Sequence, residues 1–313
     1  MKPVILITRL ISEKVIAELQ TDFTLLGPIE TLDGKGLPVG AEQAEVLLTM
    51  SSLPTRRELI EALPSVKLVC CYGSGTEFVD YDCLREKGIQ LTNAAGANAA
   101  SVAEFTLGMI LSCQRQIVES QLFLRSGKWL GNVVERYPLV RGVQGKRLGI
   151  YGFGEIGKEV ASRAVAFDME IGYCTRSQKE TPFRCFDSIE ALAEWADILV
   201  LAARGSANNY HIVGEKVLNL LGSAGCLINV ARGILVDEAA LISALQQHRL
   251  GCAALDVFEG EPHLSQPLAD APRLLLTPHV AANTLSAQQA QQQRMVQNAR
   301  RYFDGQPLTG RVL

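Results

Sequence analysis

A glycine turn in mid-chain constrains the fold more than any other segment. Gly152-Phe153-Gly154-Glu155-Ile156-Gly157 follows an apolar run, Leu148-Gly149-Ile150-Tyr151, and precedes a helical pattern, Val160-Ala161-Ser162-Arg163-Ala164-Val165. The order strand, tight turn, helix is what gives G-x-G-x-x-G a physical meaning. Gly152 permits the turn, Gly154 lets the backbone approach a pyrophosphate, and Gly157 lets helix and strand pack closely. The helix N-terminus behind them offers unpaired N–H groups and a partial positive charge to phosphate. A dinucleotide-binding βα unit is therefore expected here, with Phe153, Glu155 and Ile156 completing the turn. Nearly 150 of the 313 residues come before it. A chain of this length has room for about two domains, so another is expected ahead of the turn.

Bulk properties exclude several classes. The chain is 48% hydrophobic and 20% charged with a net charge of -3, ordinary for a globular protein. Nothing in that balance points to nucleic acid or an anionic membrane. The first apolar run, Val4-Ile5-Leu6-Ile7, is too short for a secretory signal, and no apolar stretch is long enough to span a bilayer. The eight cysteines are scattered without a C-x-x-C, several of them inside apolar patterns such as Val69-Cys70-Cys71 and Gly225-Cys226-Leu227. Buried free thiols in a reducing cytoplasm are expected, with no disulfide and no metal.

Strand and helix patterns alternate along the chain. Val4–Thr8, Val46–Thr49, Leu68–Cys71 and Ile89–Thr92 read as strands and Glu13–Leu19 as a helix. Thr55-Arg56-Arg57-Glu58 reads as a capping box opening a short helix that Pro64 ends, and Ser101-Val102-Ala103-Glu104 as a second box opening a long helix to about Gln114. A second series of strands follows: Leu148–Tyr151, Glu170–Tyr173, Asp197–Leu201, Gly225–Val230, Ala253–Val257 and Leu274–Thr277. Ser286–Phe303 reads as a polar terminal helix. This rhythm predicts α/β domains with parallel sheets.

Three ionisable residues stand just past the ends of successive strands in the second series: Arg232, Glu261 and His279. Ligands of open α/β sheets bind in the crevice at those ends. A guanidinium, a carboxylate and an imidazole together suit acid–base work on an anionic substrate. His211, His248 and His263 lack such company and are expected on the surface or in loops.

With Asn229-Val230-Ala231-Arg232-Gly233, Leu255-Asp256-Val257-Phe258-Glu259-Gly260-Glu261-Pro262, Thr277-Pro278-His279 and the glycine turn in place, the chain resembles the D-isomer-specific 2-hydroxyacid dehydrogenase family over essentially its whole length. The resemblance implies a Rossmann doubly wound cofactor domain, residues 99–282, inserted in a smaller flavodoxin-like substrate domain, residues 1–98 plus 283–313. It implies that Arg232 binds substrate, that His279 is the acid/base, and that Glu261, the acid immediately before the proline, is its partner. It also implies cofactor contacts from Val230, Ala231 and Asp256, and a homodimer with the helix beginning near Ser101 and adjoining segments at its interface. That helix carries Phe105, Leu107, Met109, Ile110 and Leu111, more apolar residues than one face needs. The chemistry agrees with these roles. Arg232 could hold a 2-oxo acid's carboxylate as a fork and polarise its carbonyl, and His279 could protonate the oxygen that hydride transfer leaves charged.

Two segments bear on ligand choice. Tyr72-Gly73-Ser74-Gly75-Thr76 follows a strand of the first domain, and the similar family loop implies that Ser74 and Gly75 hold the substrate carboxylate through backbone N–H groups. The second cofactor strand runs into Tyr173-Cys174-Thr175-Arg176-Ser177. NAD-binding members of the family usually have an aspartate where Cys174 stands; its absence, with Thr175, Arg176 and Ser177 beside it, predicts NADP rather than NAD. Arg204 either approaches the adenosine phosphate or faces water. The expected activity is NADPH-dependent reduction of small 2-oxo acids, glyoxylate and hydroxypyruvate first. The alternatives are reduction of bulkier 2-oxo acids, such as aryl-pyruvates or sugar-derived ketoacids, and a dinucleotide-sensing binding protein on the same fold.

Overall fold

A computed structural model describes residues 2–9, 11–129 and 137–313. The chain divides into two compact units, Met1–Asn98 with Thr284–Leu313, and Ala99–Asn283.

The first unit is built on β1 (Val4–Ile7), β2 (Thr24–Leu26), β3 (Val46–Met50), β4 (Leu68–Tyr72) and β5 (Gln90–Thr92), with α1 (Glu13–Asp22), α2 (Arg57–Glu61) and α3 (Tyr81–Lys87) between them. The strands form one parallel sheet in the order β2-β1-β3-β4-β5, a flavodoxin-like order. The central strands are continuous apolar runs because both faces of a parallel sheet are covered. One cover comes from the far end of the chain. The terminal helix, Leu285–Phe303, buries Met295, Val296 and Ala299 against Ile5, Ile7, Val46 and Leu68. Arg300 ties it to α1 through Glu18 and Asp22, at 2.8 and 2.9 Å.

The second unit opens with α4 (Ala99–Arg115) and α5 (Ile117–Arg125). Its strands are β6 (Arg147–Tyr151), β7 (Glu170–Cys174), β8 (Arg184–Phe186), β9 (Ile198–Leu201), β10 (Cys226–Asn229), β11 (Cys252–Leu255) and β12 (Leu274–Leu276). Between them lie α6 (Glu155–Val165), α7 (Ile189–Trp195), α8 (Glu215–Leu221), α9 (Glu238–Gln246) and α10 (Gln266–Ala269), and the terminal helix of the first unit is thus α11. The sheet is parallel, in the order β12-β11-β10-β9-β6-β7-β8. The order reverses between β6 and β9, the switch point at which a doubly wound sheet opens a crevice. No helix of the described residues is long and apolar enough to cross a membrane.

Several local expectations need correction. Two strands, β2 and β8, went unread; each has three residues and lies at a sheet edge. Thr55 does not cap α2. It is fully buried, and its hydroxyl bonds that of Thr49 at 3.0 Å while Arg56 takes the N-cap position. Ser101 does not cap α4, which already begins at Ala99; Glu104 faces Arg163 at 3.6 Å instead. Leu107, Met109 and Ile110 are buried in the unit's own core, where α4 packs on α6, β10 and β11. Exposed apolar side chains follow further on, in α5 and just after it, at Ile117, Val118, Leu122, Leu124 and Trp129.

Candidate functional site

At the switch point, β6 passes through the glycine turn into α6. Gly152 has a φ of +97°, and a Cβ there would lie 2.4 Å from the Ala203 nitrogen, so only glycine fits. A Cβ at Gly157 would lie 2.3 Å from the Gly152 carbonyl oxygen. Gly154 differs, because a Cβ there would meet nothing within 4 Å. Its bareness serves no packing inside the protein and leaves the main chain open to a ligand. Gly154 is the N-cap of α6, and no side chain caps that helix. Glu155 turns its carboxylate to Lys158 at 3.1 Å, and Phe153 is buried in a stack on Tyr173. What the turn presents is therefore backbone N–H at a helix N-terminus, which fits a dinucleotide pyrophosphate.

The end of β7 is equally informative. Cys174 is buried, Thr175 is half-buried, and Arg176 and Ser177 are exposed. The phenol of the buried Tyr173 accepts from the Lys179 N–H at 3.0 Å and donates to the Lys179 carbonyl at 3.2 Å, which pins the turn. Lys179 Nζ donates to Ser177 Oγ at 3.1 Å. The turn thus holds a second cation that sequence reasoning passed over.

Arg232, Glu261 and His279 follow β10, β11 and β12, three neighbours in the sheet, at their C-terminal ends. The buried Asn229 side chain builds the Arg232 turn, donating to the Arg232 carbonyl at 2.9 Å and accepting from the Ala231 N–H at 3.0 Å. Gly233 lets this turn meet the next one, since a Cβ there would lie 2.2 Å from the Phe258 carbonyl carbon. The Val230 N–H serves the Leu201 carbonyl at 3.4 Å, and the Ala231 carbonyl accepts from the Arg232 guanidinium at 2.7 Å.

Glu261 is held from two sides. One oxygen accepts from the Phe258 N–H at 2.9 Å, and the other meets His279 Nδ1 at 2.7 Å. The hydrogen bond that His279 donates to Glu261 raises the pKa of His279, outweighing the burial that would lower it. Burial works to raise the pKa of Glu261, but the bonds from His279 and Phe258 and the charges of His279 and Arg232 bring it below its ordinary value. Both shifts favour an imidazolium–carboxylate pair, with the Arg232 charge acting on both members.

His279 itself has a φ of +54°, a conformation few non-glycine residues adopt. Asp256 explains how it is kept there. This carboxylate, 1% exposed, accepts from the Thr277 hydroxyl at 2.6 Å and from the Val280 and Ala281 N–H groups at 2.9 Å, while its own carbonyl accepts from the His279 N–H at 2.9 Å. The donors to the Asp256 carboxylate thus all belong to the histidine's loop. Glu259, by contrast, meets His211 Nε2 at 2.9 Å, so His211 is paired and not a bare surface residue. Arg204 is exposed, and the next residue, Gly205, approaches Arg232 so closely that a Cβ would lie 3.1 Å from the arginine's own.

In the first unit, Gly73 has a φ of +103° and a Cβ there would strike Ser51 Oγ at 2.1 Å. The Asn93 amide donates to the Ser74 carbonyl at 2.7 Å, fixing the turn that carries Ser74 and Gly75.

Comparison with known proteins sets this geometry in a lineage. Residues 107–281 match the family described as D-isomer specific 2-hydroxyacid dehydrogenase, NAD binding domain. A hydroxyphenylpyruvate reductase from Plectranthus scutellarioides is 38% identical over 87% of this chain and 86% of its own. A glyoxylate/hydroxypyruvate reductase from Arabidopsis thaliana is 36% identical over 88% and 85%. Among solved structures, an NADPH-dependent glyoxylate/hydroxypyruvate reductase from Sinorhizobium meliloti, in complex with NADP and malonate, superposes with a TM-score of 0.87 at 31% identity, covering 100% of this chain and 97% of that one.

Proposed function

The chain belongs to the D-isomer specific 2-hydroxyacid dehydrogenase family, NAD(P)-dependent reductases of 2-oxo acids, and we propose that within it this protein uses NADPH to reduce small 2-oxo acids, glyoxylate and hydroxypyruvate first. The observation that carries the reading is the 2.7 Å contact between His279 Nδ1 and Glu261, beside Arg232, on adjoining strand ends. The nicotinamide cofactor, when bound, supplies the hydride.

The protein's own residues do the rest. Arg232 pairs with the substrate carboxylate and draws charge onto the carbonyl oxygen. In the first unit, the turn after Gly73 carries Ser74 and Gly75, whose backbone N–H groups suit a carboxylate. His279, kept protonated by Glu261, gives its Nε2 proton to the oxygen as negative charge develops there; in the reverse reaction it takes that proton back. Asp256 acts through the loop it builds, holding His279 in its unusual backbone conformation. Relatives that act on glyoxylate and hydroxypyruvate support the substrate choice. Aryl-pyruvate reduction is the second reading, favoured by the hydroxyphenylpyruvate reductase relative.

The cofactor preference rests on the end of β7, where Arg176 and Lys179 stand and no carboxylate replaces Cys174. A charge-assisted bond to a 2′-phosphate is worth about 1.5–3 kcal/mol, roughly ten- to a hundredfold in affinity. Arg176→Ala is expected to cost NADPH binding about that factor and NADH binding much less. Adding Cys174→Asp is expected to move the preference further toward NADH, by supplying a ribose acceptor that also repels phosphate. The ratio of kcat/KM with the two cofactors, in wild type and variants, checks this; a ratio unmoved by Arg176→Ala contradicts it.

The exposed apolar residues of α5 and the segment after it, Ile117, Val118, Leu122, Leu124 and Trp129, form the surface through which we infer that two copies associate. Light scattering at micromolar concentration is expected to give a dimer mass, reduced to that of the monomer by Leu122→Lys; a monomeric wild type contradicts the inference.

A further inference from the structure

Three cysteines that are far apart in the sequence converge at the end of the second unit's sheet opposite the catalytic residues. Cys226 and Cys252 are the first residues of β10 and β11 and are register partners. Cys113 lies in the last turn of α4, which packs across both strands. The three sulfur atoms all lie within 4.8 Å of one another, with Cys226 buried and Cys113 and Cys252 half-buried. Cys113 Sγ is 3.7 Å from the Ala253 carbonyl oxygen, close to the strand starts. Arg232 and Glu261 follow the other ends of the same two strands, so the cluster takes no part in the proposed reduction.

We propose that Cys113, Cys226 and Cys252 form a trigonal site for a soft d10 cation, monovalent copper being the member that fits. A metal–sulfur distance of about 2.3 Å in a plane of three ligands requires sulfur–sulfur separations of roughly 4 Å. The three sulfur atoms, none more than 4.8 Å from another, are close enough to reach that arrangement by small side-chain shifts. Among the described residues no histidine or carboxylate joins the group. Zinc, which in structural sites takes four ligands, would be left one short, whereas soft thiolates favour monovalent copper.

Charge points the same way. Three thiols give their protons to solvent as three copper–sulfur bonds form, and no electron is transferred because the metal arrives as Cu(I). The product, one positive metal with three thiolates, carries a net charge of −2. Two guanidiniums are anchored beside the strand starts that carry Cys226 and Cys252. Arg141 donates to the Ala224 carbonyl, two residues before Cys226, and Arg273 donates to the Gly251 carbonyl, next to Cys252, at 2.9 Å. Both act on Cys252 through their charge. Metal bound here would cross-link α4 to β10 and β11, and so would stabilise the unit in proportion to its occupancy.

The test is anaerobic competition for Cu(I) against bicinchoninate, with the full-length protein under a non-thiol reductant. Wild type is expected to withdraw one Cu(I) per chain, and Cys252→Ser or Cys113→Ser to lower the affinity roughly a hundredfold or more, since changing even a residue that only supports a ligand typically costs about 10–100-fold. Alkylation mapping of wild type alone covers the case in which a variant fails to fold. Bound Cu(I) is expected to shield Cys113 and Cys252 from iodoacetamide while leaving Cys185 unchanged. Protection falling on other cysteines, or a wild type that competes no better than the Cys113→Ser/Cys252→Ser double variant, would overturn the site. Zn(II) displacing Cu(I) at equal concentration would overturn the trigonal assignment.

Discussion

Replacing His279 with asparagine or alanine is expected to lower 2-oxo acid reduction by roughly 10²–10⁴-fold, the usual contribution of a positioned acid, while cofactor affinity stays nearly unchanged. Asparagine is the cleaner probe. His279 sits at a φ of +54°, which asparagine tolerates better than alanine, so the loop built by Asp256 should survive. Glu261→Gln gives the companion result. The Glu261 bond raises the histidine's pKa and so keeps the imidazolium present to higher pH. Removing the carboxylate charge lowers that pKa, so the alkaline limb of the kcat/KM profile should move to lower pH, with the largest losses at the alkaline end. Steady-state rates across the pH range check both variants. Near-wild-type turnover in His279→Asn removes the histidine as proton donor, and an alkaline limb that stays in place removes the pairing.

Arg232→Ala is expected to lower kcat by roughly 10²–10³-fold, as losing one donor to a developing oxyanion does. It should raise KM as well, because the same guanidinium holds the ground-state carboxylate. Arg232→Lys is expected to recover little, since a single ammonium cannot reproduce the fork. The split between the two parameters is diagnostic. A rise in KM with unchanged kcat would confine Arg232 to substrate binding.

What the sequence made legible, and what it hid, follows from how local each signal is. The glycine turn could be read because strand, turn and helix are consecutive in the chain: Gly157 packs on Gly152 itself, and Gly154, where a Cβ would meet nothing, leaves the main chain bare. The proposed trio of Arg232, Glu261 and His279 stands out in the sequence because each member lies a few residues past its own apolar strand. The capping boxes misled because tertiary burial outweighed a local pattern, with Thr55 drawn inside to meet Thr49. Strands β2 and β8 escaped because three-residue edge strands with an exposed first residue carry too little periodicity to register. Asp256 showed its acidity but not its purpose, since its donors arrive from Thr277, Val280 and Ala281 on the next strand's loop. Lys179 needed the Tyr173 phenol to show where its turn is pinned. The cysteine cluster was invisible because its members lie on a helix and two strands, each in a different part of the chain, and only the sheet order brings them together.

The central claim is tested most directly by following NADPH oxidation with a panel of 2-oxo acids and repeating the best of them with NADH. The panel should hold glyoxylate, hydroxypyruvate, hydroxyphenylpyruvate and a 2-keto sugar acid. The account predicts substrate-dependent oxidation, with the highest kcat/KM for NADPH paired with glyoxylate or hydroxypyruvate. NADPH that binds but is oxidised with none of the four would contradict it, and so would a clear preference for the aryl or sugar acid or for NADH.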